Sequence, residues 1–560
     1  MMQLDFTTEL NYASQLMNLT KEICIHENDS KIYIFRNQRV LNLFQSGKLT
    51  LSNFESEYYR YLEYGIVIVK NPNSTVIYND IYGAYPLFLT KCNNGHLYLK
   101  NYFKFDKEAP LNERAIVQLM HFNHFLGENT LNENTKRLSG GLKITLSEKT
   151  IDIKRIINWE FIVNKIKTAP VKDASYCLKT AITASLSPNT TNNKLPILTL
   201  TGGFDSRLLL SVLLKDKMKF ETLTWGLKDN LQTKTAIDLS NRFGLKHHNL
   251  VLENEFFDNM SHYLDFIIDN GNEFPFIIDI PQFVFMCENL EKNTQLITGF
   301  MGSEIIRGPS YSSQVTLTKF AAEVLLCSTK EEIKQLILNF QQQIPFIDND
   351  FILRNLGVLM DEYATYAKID IPKSLPNYNV FRYLFYEKYA KIYGHLQQMH
   401  FHFGVHTINP YMDFDFIVAS LRSNKGLSEL TPFENNFINN FFLYRFYAKE
   451  MKKIYPDMLH TKMDRGYNLK DLVSFAGLVK LVPVQIIRKV KKKKGKVVKV
   501  VDAYSWFKNF IEKELTQSDY KANNFLQEEL VIQKIKHPDT LNGLEKIKLQ
   551  LLLGLKRKMK

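Results

Sequence analysis

The sequence predicts an α/β protein: a β-rich first part, a parallel sheet alternating with helices, and a long helical remainder. Three observations predict it. Up to about residue 160, short apolar pieces such as "YGIVIVK" and "GHLYLK" are separated by Asn, Gly and Pro turns, as short strands require. From Lys172 strand-like and helix-like runs alternate, the pattern of βαβ units. Within them "LPILTL" is apolar on both faces, so it reads as a central, doubly covered strand.

The elements follow in order. "DASYCLKTAITASLS" has helical spacing and precedes the strand "LPILTL". "MKFETLTWGL" supplies the next strand, "DNLQTKTAIDLSNRFGL" a helix, and "HHNLVL" a third strand. "NTQLITGFMGSE" is a fourth strand and its loop, after which amphipathic helical stretches rich in Phe and Tyr run to the end. His247 and His248 begin a strand, so they point to opposite faces and share no metal. His395, His400, His402 and His406 lie close together, but no acid or cysteine is among them. They read as packing in the helical wall of a substrate cavity.

Composition narrows the function classes. The 560 residues are 45% hydrophobic and 23% charged, with 40 Phe and 28 Tyr, enough to build a large core in two or three domains. Five cysteines, Cys24, Cys92, Cys177, Cys287 and Cys327, lack CxxC spacing. That excludes a zinc ribbon or a disulfide framework and fits a reducing cytosol. "MMQLDFTTELNYASQ" carries acids and no apolar core, so no signal peptide is expected, and no apolar run is long enough to span a membrane. The net charge of +13 is concentrated in "IIRKVKKKKGKVVKV" (486–500) and the terminal "KRKMK". The run reads as a solvated loop. It lacks the interleaved aromatics that stack bases, which speaks against nucleic acid.

The richest chemical signal is Thr201-Gly202-Gly203-Phe204-Asp205-Ser206, between the central strand and a helical run. A turn feeding a helix presents backbone N–H groups and the positive end of the helix dipole. Glycines admit a ligand close to the backbone and hydroxyls add donors, so the loop suits phosphate or pyrophosphate. Asp205 would repel phosphate unless a divalent cation bridges them, which points to Mg2+ carried with a nucleotide. The Walker pattern is absent, since Arg207 rather than Lys-Ser/Thr ends the loop.

"LTGGFDSRL" resembles the SGGxDS loop of the asparagine synthetase family of ATP pyrophosphatases, with Thr201 for the leading serine. Further stretches are similar to that family in the right order. They are "TWGLKDNLQTKTAIDLSNRFGLKHHNLVL", "LITGFMGSEIIRG" and "NPYMDFDFIVASLRS", the last with Asp413 as its acid. Earlier, "YNDIYGAYPLFL" and "GENTLNENTKRLSGG" resemble the turns of the family's glutaminase-like N-terminal domain. The resemblance implies an antiparallel, Ntn-hydrolase-like β-sandwich over 1–160 and a PP-loop ATP-pyrophosphatase domain over 170–510 with a helical extension. A basic helical tail over 511–560 completes the chain.

The resemblance also implies an AMP-forming carbon–nitrogen ligase. A carboxylate attacks the α-phosphorus of ATP, pyrophosphate departs, and an amine displaces AMP. Thr201, Gly202, Gly203 and Ser206 would hold pyrophosphate and Asp205 the Mg2+. Leu200 and Gly226 would line the adenine pocket, and Glu304 and Lys462 would assist the metal or the developing charge. There are departures. Phe300 and Ser303 stand at the family's glutamate and aspartate, Asp464 at its catalytic lysine, and Met2 at its nucleophilic cysteine. They point away from aspartate as substrate and toward divergent members in peptide-modifying and cell-surface biosynthetic systems. Met2 cannot ionise and Cys24 lies in an alternating, strand-like segment, so the N-terminal domain is expected to be a scaffold that releases no ammonia from glutamine. The carboxylate could be small or peptidic, and the amine could come from ammonia or from the substrate itself, as in macrolactam or β-lactam-type cyclisation. A non-catalytic nucleotide-binding descendant and a homodimeric assembly also stay open.

Overall fold

The computed structural model describes residues 3–4, 24–27, 30–186 (except 94, 96, 148 and 149), 194–270 (except 229), 280–307, 317–369 (except 344 and 345), 377–423, 437–474 (except 464–466), 477, 531, 533 and 543–559. Met2, Asp464 and the basic run 486–500 lie outside the described residues, as does the side chain of Cys24.

Among the described residues the β-rich part holds ten strands: β1 (Gln3–Leu4), β2 (Cys24–Glu27), β3 (Ser30–Phe35), β4 (Ile66–Asn71), β5 (Ser74–Asn79), β6 (Phe88–Lys91), β7 (Leu97–Lys100), β8 (Thr135–Arg137), β9 (Leu142–Leu146) and β10 (Ile151–Arg155). Six form one antiparallel sheet in the order β10-β9-β5-β4-β3-β2. β1-β7-β6-β8 form a second sheet, antiparallel except where β1 runs parallel to β7. Alternation explains the inner face: Leu142, Ile144 and Leu146 of β9 are buried while Lys143 and Thr145 are half-buried.

The later part holds one parallel sheet of β11 (Ile197–Thr199), β12 (Glu221–Gly226), β13 (His247–Val251), β14 (Gln295–Ile297) and β15 (His406–Ile408). Its order is β13-β12-β11-β14-β15. β11 is central, and all three of its residues are buried, as cover on both faces demands. Helix α1 (Ala174–Ser185) starts at Asp173, whose carboxylate accepts from the backbone N–H of Ser175 and Tyr176. Helix α2 (Phe204–Lys215) follows β11, and α3 (Leu231–Arg242), capped by Asn230, follows β12.

The stretch "FHFGVHTINP" departs from expectation. His395, His400 and His402 lie on helix Gly394–His402, but His406 does not: it opens β15 on the sheet edge, because Gly404 at φ +74° turns the chain after that helix. In the expected basic helical tail, Gly543–Met559 form a helix whose Leu549, Leu551, Leu552 and Leu555 are buried.

One hydrophobic core runs through both parts. It joins Val67, Ile77 and Ile144 of the antiparallel sheet to Leu198, Leu208 and Leu209 of the parallel one. A second core packs helix Glu113–Phe122 against later helices and the C-terminal helix. The change from antiparallel to parallel sheet falls between 155 and 197, but the cores cross it. Among the described residues no helix is long and apolar enough to cross a membrane.

Candidate functional site

From β11 the chain passes to β12 and β13 on one side, then returns across the sheet to β14 on the other. Strand order therefore reverses between β11 and β14. In open α/β sheets the crevice outside the carboxyl ends at such a point is where ligands bind. The loops that meet there are Thr201–Ser206, after β11, and Gly299–Ser303, after β14.

The first loop is closed by its own hydroxyls. Ser206 Oγ donates to the Thr201 carbonyl at 3.2 Å and accepts from the Thr201 N–H at 3.1 Å. The Gly203 N–H donates to Thr201 Oγ1 at 3.1 Å. Ser206 is buried, so both hydroxyls set the shape of the turn as well as facing its interior. α2 begins at once, with Gly203 as its cap and Asp205 in its first turn, where a carboxylate interacts favourably with the helix dipole.

Asp205 is the hub of the crevice. Ser303 Oγ, at the start of helix α4 (Gly302–Arg307), donates to Asp205 Oδ2 at 2.5 Å. The Tyr447 hydroxyl donates to Asp205 Oδ1, and the Tyr411 hydroxyl to its carbonyl at 2.7 Å. Burial, with the Asp205 charge adding to it, pushes the Tyr411 phenol up, which keeps it a donor. A Cβ at Gly302 would sit 2.9 Å from Asp205 Oδ1 and 2.8 Å from the Tyr411 ring, so only glycine fits there. Met301, buried beside it, is held at φ +65°, a conformation that costs a side chain free energy and clusters at ligand sites.

Glu304 lies one residue further along α4. Its carboxylate pairs with Lys388 Nζ at 2.8 Å, and Lys388 is only 1% exposed. Burial pushes the Lys388 ammonium down while Glu304 opposes the shift. Lys388 comes from a ten-residue π-helical segment, Leu384–Tyr393. Such widened turns are rare and often mark functional sites. Nothing in the sequence pointed to Lys388, Tyr411 or Tyr447; the position of Tyr411 two residues before Asp413 was the nearest signal.

The remaining predicted residues divide. Gly226 ends β12 at φ +154°, and a Cβ there would lie 2.9 Å from Thr233 Oγ1, so the strand end stays bare beside the crevice. Leu200 is fully buried in the core and supports the loop from beneath. Lys462 reaches α2 through its backbone: its carbonyl accepts from Arg207 Nη2 at 2.6 Å, while its side chain is exposed. Asp413 is structural. It pairs with Arg39 at 2.7 Å, both nearly buried, and accepts from the Phe416 N–H at 2.8 Å. Asp80, in the stretch "YNDIYGAYPLFL", accepts from the N–H of Tyr82, Ala84 and Tyr85, so it builds a turn.

His247 and His248 do point apart. His247 Nδ1 meets Thr222 Oγ1 at 2.9 Å, and His248 Nε2 meets Glu221 Oε2 at 2.5 Å. Cys92, Cys177, Cys287 and Cys327 carry free thiols, and burial pushes those of Cys177, Cys287 and Cys327 up, away from the reactive thiolate. Among the described residues no group of three or more His, Cys, Asp or Glu is placed to hold a metal by itself. Asp205 and Ser303 supply oxygen donors, which suit Mg2+ that arrives with phosphates, since such an ion takes only one or two carboxylates from the protein. No protein-family model matches the chain, and no curated protein matches it.

Proposed function

We propose that this chain is an ATP-dependent, amide-forming ligase of the asparagine synthetase type, with a PP-loop nucleotide domain and a degenerate, Ntn-hydrolase-like amidotransferase domain as its brace. One observation carries the reading. The glycine- and hydroxyl-rich turn Thr201–Ser206 meets Ser303 through Asp205 at the point where strand order reverses.

In this reading the substrate carboxylate attacks the α-phosphorus of ATP and pyrophosphate leaves. The Gly202 N–H and the start of α2 would face the charge that grows on the departing pyrophosphate, while the Gly203 N–H, bonded to Thr201 Oγ1, holds the shape of the turn. Mg2+ bound with ATP would neutralise part of that charge, and Asp205 is the residue that would hold it. Ser303, Tyr411 and Tyr447 fix the orientation of Asp205. Gly226 leaves room for the adenine against the backbone. The Lys388–Glu304 pair fixes the Glu304 carboxylate at the start of α4, where it would accept the proton released when the amine attacks the acyl-adenylate. Lys462 then acts through its backbone contact with α2.

The test is equilibrium dialysis of ATP with Mg2+, followed by ATP–pyrophosphate exchange over a panel of carboxylates. Saturable ATP binding and exchange that depends on one class of carboxylate are expected. Failure to bind millimolar ATP would overturn the reading. Ammonia, glutamine and amine-bearing substrates, offered in turn, then identify the amine donor and separate intermolecular ligation from cyclisation.

A further inference from the structure

A chain of half-buried aromatic rings lines the crevice. Trp225, next to Gly226 at the end of β12, lies 5.6 Å from Phe283 between ring centroids. Phe283 lies 6.4 Å from Phe300, which follows Gly299 at the end of β14. Phe300 lies 4.8 Å from Tyr393, the last residue of the π-helical segment. The wall thus runs from the strand end that borders the proposed adenine site to the Asp205 loop. At its far end burial, then the charges of Glu304 and Asp205, push the Tyr393 phenol up, which keeps it protonated.

His400 adds a second observation. It is 1% exposed and stacks on Phe300 at 6.2 Å and 28°. Its Nδ1 is engaged by Thr407 Oγ1 at 2.9 Å, while its buried Nε2 has no hydrogen-bond partner among the described residues. A buried polar atom without a partner is costly, so a ligand atom that satisfied it would bind more tightly. Burial holds this imidazole down at about 4, so it is neutral at physiological pH and offers one hydrogen bond rather than a charge.

Among the described residues, the acids placed beside the wall are engaged: Glu304 by Lys388, and Asp205 by Ser303 and Tyr447. An α-ammonium group laid on Phe300 would lose its water without gaining an ion pair, whereas an apolar chain gains from being covered.

The geometry points to an acyl substrate whose carboxylate lies toward Asp205 and whose body is aromatic or bulky and apolar, seated on Phe300, Phe283 and Tyr393 with one polar atom on His400 Nε2. This rests on the ligase reading above and names its substrate class. It is the acyl group, rather than the nucleotide, that selects this wall.

The test is calorimetric binding to the full chain in the presence of Mg2+ and α,β-methylene-ATP, which cannot transfer its adenylyl group to the carboxylate. The probes are 3-phenylpropionate, aspartate and glutamate. 3-Phenylpropionate is expected to bind at least about tenfold more tightly than either amino acid, the scale on which apolar pockets discriminate. Phe300→Glu should remove that preference and leave the nucleotide analogue's Kd within about twofold. Phe300→Leu, which keeps an apolar residue, should retain most of the binding. Preference for aspartate or glutamate, or no binding by any probe, would overturn the proposal. So would a Phe300→Glu variant that binds 3-phenylpropionate like the wild type. The two readings fail separately. Aspartate-dependent exchange sinks the aromatic wall and leaves the ligase standing, whereas tight 3-phenylpropionate binding without any ATP binding does the reverse.

Discussion

Asp205 is anchored on three sides, by Ser303, Tyr411 and Tyr447, so its position is set by four separate elements of the chain. If its charge serves the departing pyrophosphate, Asp205→Asn should lower carboxylate-dependent exchange by about a hundredfold or more, the scale seen on removing one charge-stabilising group. The amide keeps the shape of the carboxylate, so the far-ultraviolet circular dichroism should be unchanged; near-normal exchange would reduce the loop to a turn. Ser303→Ala tests the positioning. It removes one hydrogen bond to a charged group, about 1.5–3 kcal/mol, and should cost exchange roughly ten- to hundredfold, less than Asp205→Asn. A larger loss than that of Asp205→Asn would mean that Ser303 itself touches substrate.

At the scale of elements, the π-helical segment and the helix after it (Gly394–His402) seat the antiparallel part against the crevice. Gly394 is the contact point: a Cβ there would lie 2.3 Å from the Ala84 carbonyl oxygen, in the turn that Asp80 organises. Neither backbone can yield without breaking the turn's hydrogen bonds. Gly394→Ala should therefore destabilise the protein by about 1–3 kcal/mol or more, as overpacking does, seen as a lower urea midpoint. A midpoint equal to that of the wild type would show that the two elements slide freely. Arg137 reinforces the same contact, donating to the carbonyls of Gly83 and Ala390 at 3.1 and 3.0 Å and meeting His395 Nε2 at 3.0 Å.

Across the whole molecule, buried charge links the first part to the last. Arg39, in helix Gln38–Gln45, pairs with Asp413 more than three hundred positions away, and Arg60 and Lys172 converge on Asp415 at 2.8 and 2.7 Å. Removing one partner of a buried pair strands the other, so Arg39→Met should cost about 3–5 kcal/mol in urea unfolding. Arg39→Met with Asp413→Asn should recover part of it, because the amide keeps the cap on Phe416 without the charge. No recovery would mean that packing rather than charge sets the cost. Acid acts on the same scale. Burial holds the imidazoles of His247, His400 and His406 down at about 4. In the unfolded chain they titrate near 6.5, so between those values the unfolded state binds more protons and stability falls as pH falls. Above about pH 6.5 these groups contribute nothing further. Burial pushes the Glu63 and Asp80 carboxyls up to about 7, which acts with the opposite sign, so the test is a difference: replacing the three histidines with apolar residues should shrink the fall of the urea midpoint from pH 6.5 to 4, and an unchanged profile would refute the assignment.

What the sequence determined by itself was local. The apolar run "LPILTL" demanded cover on both faces, and β11 is central; the glycines and hydroxyls of Thr201–Ser206 demanded a tight strand-to-helix turn, and α2 starts there. The alternation of strand and helix from Lys172 to Glu304 was legible for the same reason, since each element's period depends only on its own residues. What only the tertiary structure decided was which distant side chains meet. Lys388 and Tyr447 had no local mark, because a lysine or tyrosine in a helix looks the same in sequence whether it faces solvent or a carboxylate. His406 was misread because a three-residue edge strand is too short to show a period, and it exists only where β14 offers its backbone. The substitutions at positions 300 and 303 acquired meaning in the same way. In sequence they are departures from a resembled motif; in the fold Phe300 joins a wall of rings and Ser303 turns toward Asp205, because the reversal of strand order brings two loops a hundred residues apart into one crevice.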